Sequence, residues 1–144
     1  MPSTPPRRFA RLAGLLVATL SLALTLASVR AQDAPPRTTQ DGVYTADQAT
    51  RGGETYARSC AACHPLDWYK GEAMKSWEGA TLMGLYDSIA TTMPQNNPGS
   101  LKRSEYVSLL AYILSLNELP TGSEEIPEAT EALSKIVIQW RKKT

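Results

Sequence analysis

The residues most suited to chemistry are concentrated in one stretch, Cys60-Ala61-Ala62-Cys63-His64. Cys60 and Cys63 are the only cysteines of the 144-residue chain, and His64 is its only histidine. Two cysteines separated by two residues and followed directly by histidine form the attachment signal for haem c. This spacing lets one helical turn present both thiols to the vinyl groups on one porphyrin edge, and the next side chain then lies over the ring. We therefore predict one covalently attached haem, with Cys60 and Cys63 as thioether links and His64 as an axial iron ligand.

Three other uses of these residues compete with haem attachment. A zinc site needs about four ligands around a tetrahedral ion, and three neighbouring residues cannot surround one. A thioredoxin-like dithiol lies at the start of a helix in an α/β pattern, and the sequence contains no run of strands to build one. A structural disulfide suits an exported chain and explains the cysteines, but it leaves the adjacent histidine unexplained.

The second axial ligand has to come from another part of the chain. Because no second histidine exists, a methionine sulfur is the usual alternative. Met74 follows His64 closely in the sequence. Its side chain would have to reach the opposite face of the ring within that short stretch of chain. Met83 lies inside a predicted helix, away from its apolar face, whereas Met93 follows that helix in a loop. The sequence favours Met93 as the ligand and leaves Met83 as the second candidate, with packing as the ordinary use of Met74 and Met83.

Residues 1–31 resemble a secretory signal peptide. Three arginines within the first eleven residues precede an apolar run at 12–27, and small residues precede Gln32. A retained membrane anchor is the alternative, but a spanning helix needs about 20 apolar residues. We expect cleavage, export to the periplasm and no membrane span in the mature chain.

Removal of this segment changes the charge of the chain. The full chain has a formal net charge of +1, and the segment contains four arginines and no acidic residue. The remainder has 11 basic and 14 acidic residues, a net charge of −3. A mildly acidic chain without a basic stripe argues against nucleic acid as a partner.

The mature sequence divides into three parts. Residues 32–43 are rich in proline and polar residues and predict a flexible linker. Residues 44–122 contain the predicted helices and form the expected domain, and residues 123–144 form a C-terminal extension that packs on the domain or trails from it. A domain of this size often needs a cofactor to complete its core.

Three helices are predicted in the domain. The first begins near Thr45, where T-x-x-Q has the spacing of a capping box, and runs toward Cys60 with Gly52 in its interior. The second and third are expected at Thr81 to about Ala90 and at Arg103 to about Leu116, from apolar residues repeating every three or four positions. In the extension, a short helix at 128–133 and an extended segment at 136–140 are both compatible with the pattern. The acidic residues at 124–131 and the basic tail at 141–143 are expected to be solvated surface.

Three longer segments give the sequence a family resemblance. These segments are VYTADQATRGGETYARSCAACH (43–64), SWEGATLMGLYDSIATTMPQNNPGSL (76–101) and EYVSLLAYILSLNELPTG (105–122). They cover most of the predicted mature chain and resemble class I cytochromes c. More closely, they resemble the small exported cytochromes c that accompany quinoprotein (PQQ-dependent) alcohol dehydrogenases.

The resemblance implies an all-α fold wrapped around one haem. Gly52 and Tyr56 then fall where the N-terminal helix meets the C-terminal helix, with Tyr112 on the other side of that crossing. The resemblance also gives His64 and Met93 as axial ligands. It places Trp77 near a haem propionate, although aromatic packing explains this residue equally well.

The sequence departs from the family pattern at two places. Pro65 stands where the family usually has glycine after the histidine. No proline lies between Leu66 and Met93, so the carbonyl that often accepts a hydrogen bond from the histidine is unidentified. The stretch from His64 to Met93 is also short, which predicts a trimmed loop and an exposed haem edge.

The function expected from these features is one-electron transfer rather than catalysis. The iron cycles between Fe3+ and Fe2+, and the protein supplies ligands, burial and a docking surface. The expected partners are exported redox proteins, with a quinoprotein dehydrogenase as donor and an oxidase or another cytochrome as acceptor. Two alternatives remain: a haem enzyme with an open sixth position, peroxidase-like or gas-binding, and a tightly bound cytochrome subunit of a dehydrogenase.

Overall fold

The structure, a computed structural model, describes residues 36–140. This part of the chain is mostly helical, with four α-helices, three 3-10 helices and two very short strands. In chain order the strands and α-helices are β1 (Arg37–Thr38), α1 (Ala46–Ser59), α2 (Leu82–Thr92), α3 (Arg103–Leu116), α4 (Thr130–Ser134) and β2 (Ile136–Val137). The 3-10 helices are Thr39–Asp41, Leu66–Tyr69 and Gly71–Trp77. The three main helices are those predicted from the sequence, and the all-α prediction is confirmed.

Helix α3 forms the centre of the core. Its predicted apolar face is fully buried, because Val107, Leu110, Ala111 and Leu114 each have a relative exposure of 0%. Helix α1 packs across α3, and the two backbones come close at Gly52. Beyond this point the rings of Tyr56 and Tyr112 lie 5.6 Å apart between their centroids. The predicted placement of these residues on the two sides of the crossing is confirmed.

Gly52 is needed at the crossing because no side-chain atom fits there. A β-carbon at this position would lie 2.6 Å from the carbonyl carbon of Ser108, closer still to its oxygen, and 2.8 Å from the β-carbon of Tyr112. Because a backbone carbonyl of α3 cannot rotate away, the helices themselves would have to separate. A close approach of this kind offsets the cost of about 1 kcal/mol that glycine imposes in a helix.

We expect the Gly52→Ala variant to be less stable by about 1–3 kcal/mol, the usual cost of overpacking a core. The measurement is thermal unfolding of the haem-loaded protein, compared with the wild type. Gly84→Ala is the matched control, since a β-carbon there meets only the Thr81 hydroxyl at 3.7 Å. Gly84→Ala should be neutral or slightly stabilising. Equal unfolding temperatures for Gly52→Ala and the wild type would contradict this account of the crossing.

Threonine hydroxyls cap the two helices that were predicted to begin near Thr45 and at Thr81, but the capping box predicted at Thr45 does not form. The hydroxyls of Thr45 and Thr81 accept hydrogen bonds from the N–H groups of Gln48 (3.1 Å) and Gly84 (3.1 Å). The side chain of Gln48, however, does not return to Thr45 as a capping box requires. It bonds both backbone groups of Ile126, donating to the carbonyl at 3.0 Å and accepting from the N–H at 2.9 Å. The Gln48 side chain therefore bonds the backbone carbonyl and N–H of Ile126 instead of the backbone of Thr45.

The described part of the C-terminal extension packs on the domain. Ile126, Leu133 and Ile138 are buried, while the acidic side chains between 124 and 131 are exposed, as predicted for these acids. Backbone hydrogen bonds join Ile138 to Gly79 (2.9 Å) and Ala80 (2.7 Å). The helix and the extended segment considered for this region both form, one after the other. The extension thus holds the segment that connects the last 3-10 helix to α2.

Residues 36–43 also contact the extension, although they belong to the segment predicted as a flexible linker. Strand β1 pairs in parallel with β2, with Arg37 opposite Ile136. The buried hydroxyl of Thr39 donates to the carbonyl of Gln139 (2.8 Å) and accepts from its N–H (2.9 Å). The remainder of the predicted linker, the predicted signal peptide (1–31) and the basic tail lie outside the described residues.

Candidate functional site

The CAACH stretch forms one helical turn directly after α1. The N–H groups of Cys60 and Ala61 donate to the carbonyl of Tyr56 at 2.8 and 3.0 Å. The N–H groups of Cys63 and His64 then donate to the carbonyl of Cys60 at 3.1 and 3.0 Å. The backbone therefore has the turn that the attachment spacing requires. Both cysteines are free thiols, Cys60 half-buried and Cys63 exposed.

Two adjoining cavities lie next to this turn. The first has a volume of about 250 Å³ and the second about 410 Å³. His64, Tyr69, Ile89 and Met93 line both of them. Together they reach the size of sites that hold a cofactor, which begins at roughly 300 Å³. The side chains proposed as the two axial ligands therefore lie at the junction of the two cavities.

The cysteines lie on the side of the second cavity. Cys60 and Cys63 line it together with Ser59 and with residues 94–96. A planar cofactor spanning both cavities would thus present one edge to the two thiols, with His64 at its face. The residues fit a covalently attached haem in this respect.

Burial raises the pKa of the Cys60 thiol above its usual value. Burial, together with the nearby Cys60 and Tyr56, also raises the pKa of Tyr69 to about 12. Both groups are therefore protonated and neutral near pH 7. A redox-active or catalytic cysteine normally has a lowered pKa, so Cys60 does not have the environment of a reactive thiolate.

His64 is surrounded by aromatic side chains. The centroid of its ring lies 5.2 Å from that of Trp68 and 6.1 Å from that of Tyr69. The backbone carbonyl of His64 accepts a short hydrogen bond from the hydroxyl of Tyr56. Since Tyr56 is in α1 and packs against α3, this bond ties the histidine to the helix crossing.

Met93 lies directly after α2 and is held by its backbone. Its N–H donates to the carbonyl of Ile89 at 2.8 Å, as the last hydrogen bond of the helix. Its carbonyl accepts from the hydroxyl of Tyr106 at 2.7 Å and from the N–H of Gly99 at 3.3 Å. The chain thus fixes the backbone of Met93 while its side chain lines both cavities.

Among the described residues, the methionines besides Met93 are Met74 and Met83, and their positions reverse the order expected from the sequence. Met83 packs against the core and lines neither cavity. Met74 is buried, with 4% of its surface exposed, and lines the first cavity. Met74 therefore replaces Met83 as the second candidate for a sulfur ligand.

Trp77 ends the 3-10 helix Gly71–Trp77 and lines the first cavity together with Met74 and Leu85. It is half-buried and packs against the core. The indole therefore lies at the wall of the cavity. This position is compatible with a contact to a haem propionate and also with ordinary packing.

Sequence reasoning missed Asn117, which connects the loop after His64 to the end of α3. Its amide nitrogen donates to the carbonyls of Tyr69 (2.7 Å) and Ile113 (2.8 Å). Its amide oxygen accepts from the N–H of Gly71 at 2.9 Å. In the local sequence Asn117 only follows the predicted third helix, because its loop partners lie more than forty residues away in the sequence. The Tyr69 wall of both cavities depends on this connection.

Within residues 36–140, no group of three or more His, Cys, Asp or Glu side chains is arranged to hold a metal ion. The zinc alternative therefore has no ligand set in this part of the chain. No helix among the same residues is both long enough and apolar enough to cross a membrane.

Comparison with known proteins gives one family. Residues 47–113 match the family model described as cytochrome c oxidase, cbb3-type, subunit III. The match spans nearly all of α1, the CAACH turn, α2 and most of α3. The chain matches no curated protein and no solved structure.

The match and the helical architecture agree with the resemblance to class I cytochromes c, while the likeness to the cytochromes of quinoprotein alcohol dehydrogenases stays a prediction. A domain of this kind implies covalently bound haem c, redox partners and electron transfer. The structure has the all-α cytochrome c fold, and the family match supports a class I c-type cytochrome domain.

Proposed function

We propose that this protein is an exported cytochrome with one haem c that carries single electrons between redox partners. The observation that supports this best is the position of His64 and Met93, which both line the two cavities beside the paired thiols. Haem c, when bound, supplies the one-electron Fe3+/Fe2+ couple.

The side chains of the site are proposed to have different roles in holding the haem. Cys60 and Cys63 would anchor the group through thioethers, while His64 and Met93 would supply an imidazole nitrogen and a thioether sulfur to the iron. His and Met together favour a raised reduction potential. The apolar walls at Leu85, Ile89 and Ile113 limit the access of water to the ring. If His64 and Met93 both held the iron, no position on it would remain for a substrate, which would favour a carrier over an enzyme.

Trp77 is proposed to lie beside a haem propionate, since its indole is at the wall of the first cavity. A quinoprotein dehydrogenase is proposed as electron donor and an oxidase or another cytochrome as acceptor, on the resemblance of the sequence. A stably bound subunit of a larger complex is the second candidate. The name of the matching family, which describes an oxidase subunit, favours it.

The test is an absorption spectrum of the oxidised and reduced protein, exported from a host with haem c maturation machinery and then denatured in acid. We expect colour that stays with the polypeptide and a low-spin reduced spectrum. A high-spin spectrum with retained colour would favour the enzyme with an open position. Absence of bound haem would refute the proposal, and co-purification with a larger chain would favour the subunit.

A further inference from the structure

The two candidate axial ligands differ in how their positions are held. His64 directly follows Cys63, so a thioether at Cys63 would tie the histidine to the ring. The carbonyl of His64 also accepts the hydrogen bond from the Tyr56 hydroxyl. Met93 would have no covalent link to the haem next to it, so its position depends on the contacts of its own backbone.

The carbonyl of Met93 is held by the hydroxyl of Tyr106. Tyr106 lies near the start of α3, and its hydroxyl donates to this carbonyl at 2.7 Å. The N–H of Gly99 is a second donor to the same oxygen, at 3.3 Å. This second distance is at the long end for an N–H to oxygen bond. The Tyr106 hydroxyl is therefore the stronger of the two donors.

The segment after Met93 has few other connections to the helices. Residues 95–100 are exposed, and Leu101 is the next residue that packs against the core. Within the part of the chain that the structure describes, the hydrogen bonds of residues 94–100 stay inside the segment 93–100. The bond between Tyr106 and Met93 therefore joins the start of this segment to α3.

The ring of Tyr106 is too tightly packed to follow a movement of this segment. Tyr106 is 2% exposed, and its ring meets that of Tyr86 at 5.9 Å between centroids and at 78° between planes. The guanidinium of Arg103 lies 4.6 Å from the centroid of the Tyr86 ring and donates to the hydroxyl of Thr130 at 3.0 Å. A hydroxyl on a ring held in this way bonds the carbonyl of Met93 only while Met93 stays in place.

We propose that Tyr106 is a positioning residue that keeps the sulfur of Met93 on the haem iron. The inference rests on the proposed function, in which Met93 is the ligand opposite His64. When Met93 moves away from the iron, its carbonyl leaves the Tyr106 hydroxyl, so the bond favours the ligated state. A hydrogen bond between neutral groups changes such an equilibrium about two- to tenfold.

The test is a titration of the ferric, haem-loaded protein with imidazole, followed by its absorption spectrum. The imidazole nitrogen binds the iron once the iron–sulfur bond has broken, so its apparent affinity rises with the fraction of protein in the open state. Tyr106→Phe removes the hydroxyl and keeps the buried ring. We expect this variant to bind imidazole about two- to tenfold more tightly than the wild type. Without imidazole its spectrum should stay low-spin.

Tyr44→Phe is the matched control. The hydroxyl of Tyr44 also donates to a backbone carbonyl, that of Leu119 at 2.6 Å, and Tyr44 is 1% exposed. Neither Tyr44 nor Leu119 lines the two cavities. Both variants lose one bond of the same kind, so both should unfold at a lower temperature than the wild type. Only Tyr106→Phe should bind imidazole more tightly.

Two results would overturn the inference. One is an imidazole affinity of Tyr106→Phe equal to that of the wild type. The other is an equal increase in Tyr106→Phe and Tyr44→Phe, which would reflect a general loss of stability. Either result in a protein whose wild-type spectrum is low-spin would leave the carrier function standing. A wild type that binds no haem, or whose spectrum is high-spin, would instead refute the proposed function, so the two failures are distinguishable.

Discussion

Replacement of both Cys60 and Cys63 by alanine should abolish covalent haem attachment and leave a chain without a cooperative unfolding transition. Haem bound in the two cavities would supply a large part of the core, since the cavities together exceed the size of any single side chain. Without haem the apolar walls of these cavities would be open to water, which removes part of the apolar burial that stabilises the fold. A small domain has a total stability of only about 5–15 kcal/mol. The measurement is a thermal unfolding scan followed by circular dichroism.

The single variants Cys60→Ala and Cys63→Ala are the matched comparison. Each keeps one thioether and His64, so each should retain haem and unfold cooperatively at a lower temperature than the wild type. A cooperative transition in the haem-free double variant would contradict the role of haem in the core. Haem that stays covalently bound in the double variant would contradict the attachment itself.

The main helices could be predicted because the forces that form them act over short distances in sequence. The apolar stripe of α3 repeats every three or four residues, and Val107 and Leu114 are buried as that period requires. The threonine caps at Thr45 and Thr81 act within three residues. The CAACH turn is equally local, since each of its hydrogen bonds joins residues that are at most five positions apart.

The features that escaped prediction depend on distant partners. Gln48 bonds Ile126 and Asn117 bonds the loop near Tyr69, and neither partner can be read from the residues beside them. The burial of Met74 depends in the same way on how its 3-10 helix packs against the core. The fold follows from local periodicity, whereas the Tyr69 wall of the site is held by the long-range bond of Asn117. The roles of Cys60, Cys63, His64, Met93 and Trp77 stay predictions until haem binding is measured.

Replacement of Met93 by alanine should leave haem attached and change its electronic state. Both thioethers and His64 remain, so the colour should stay with the polypeptide in acid. Loss of the sulfur ligand leaves a weak ligand or an open position, and the reduced spectrum should lose its low-spin character. The reduction potential should fall on the order of 100 mV or more, since axial ligands set haem potentials over about 0.8 V. Spectroscopy and a redox titration of the same sample measure both changes.

Met83→Leu and Met74→Leu decide whether the effect belongs to Met93. Both substitutions conserve volume and should cost less than about 1.5 kcal/mol in stability. Met83 lines neither cavity, so its variant should keep the wild-type spectrum and potential. Met74 lines the first cavity, so it is the rival of Met93 among residues 36–140. If Met93→Ala keeps a low-spin spectrum and Met74→Leu loses it, the sulfur ligand is Met74. Low-spin spectra in all three variants would mean that none of the three methionines is required, and the iron would then take its sixth ligand from another group.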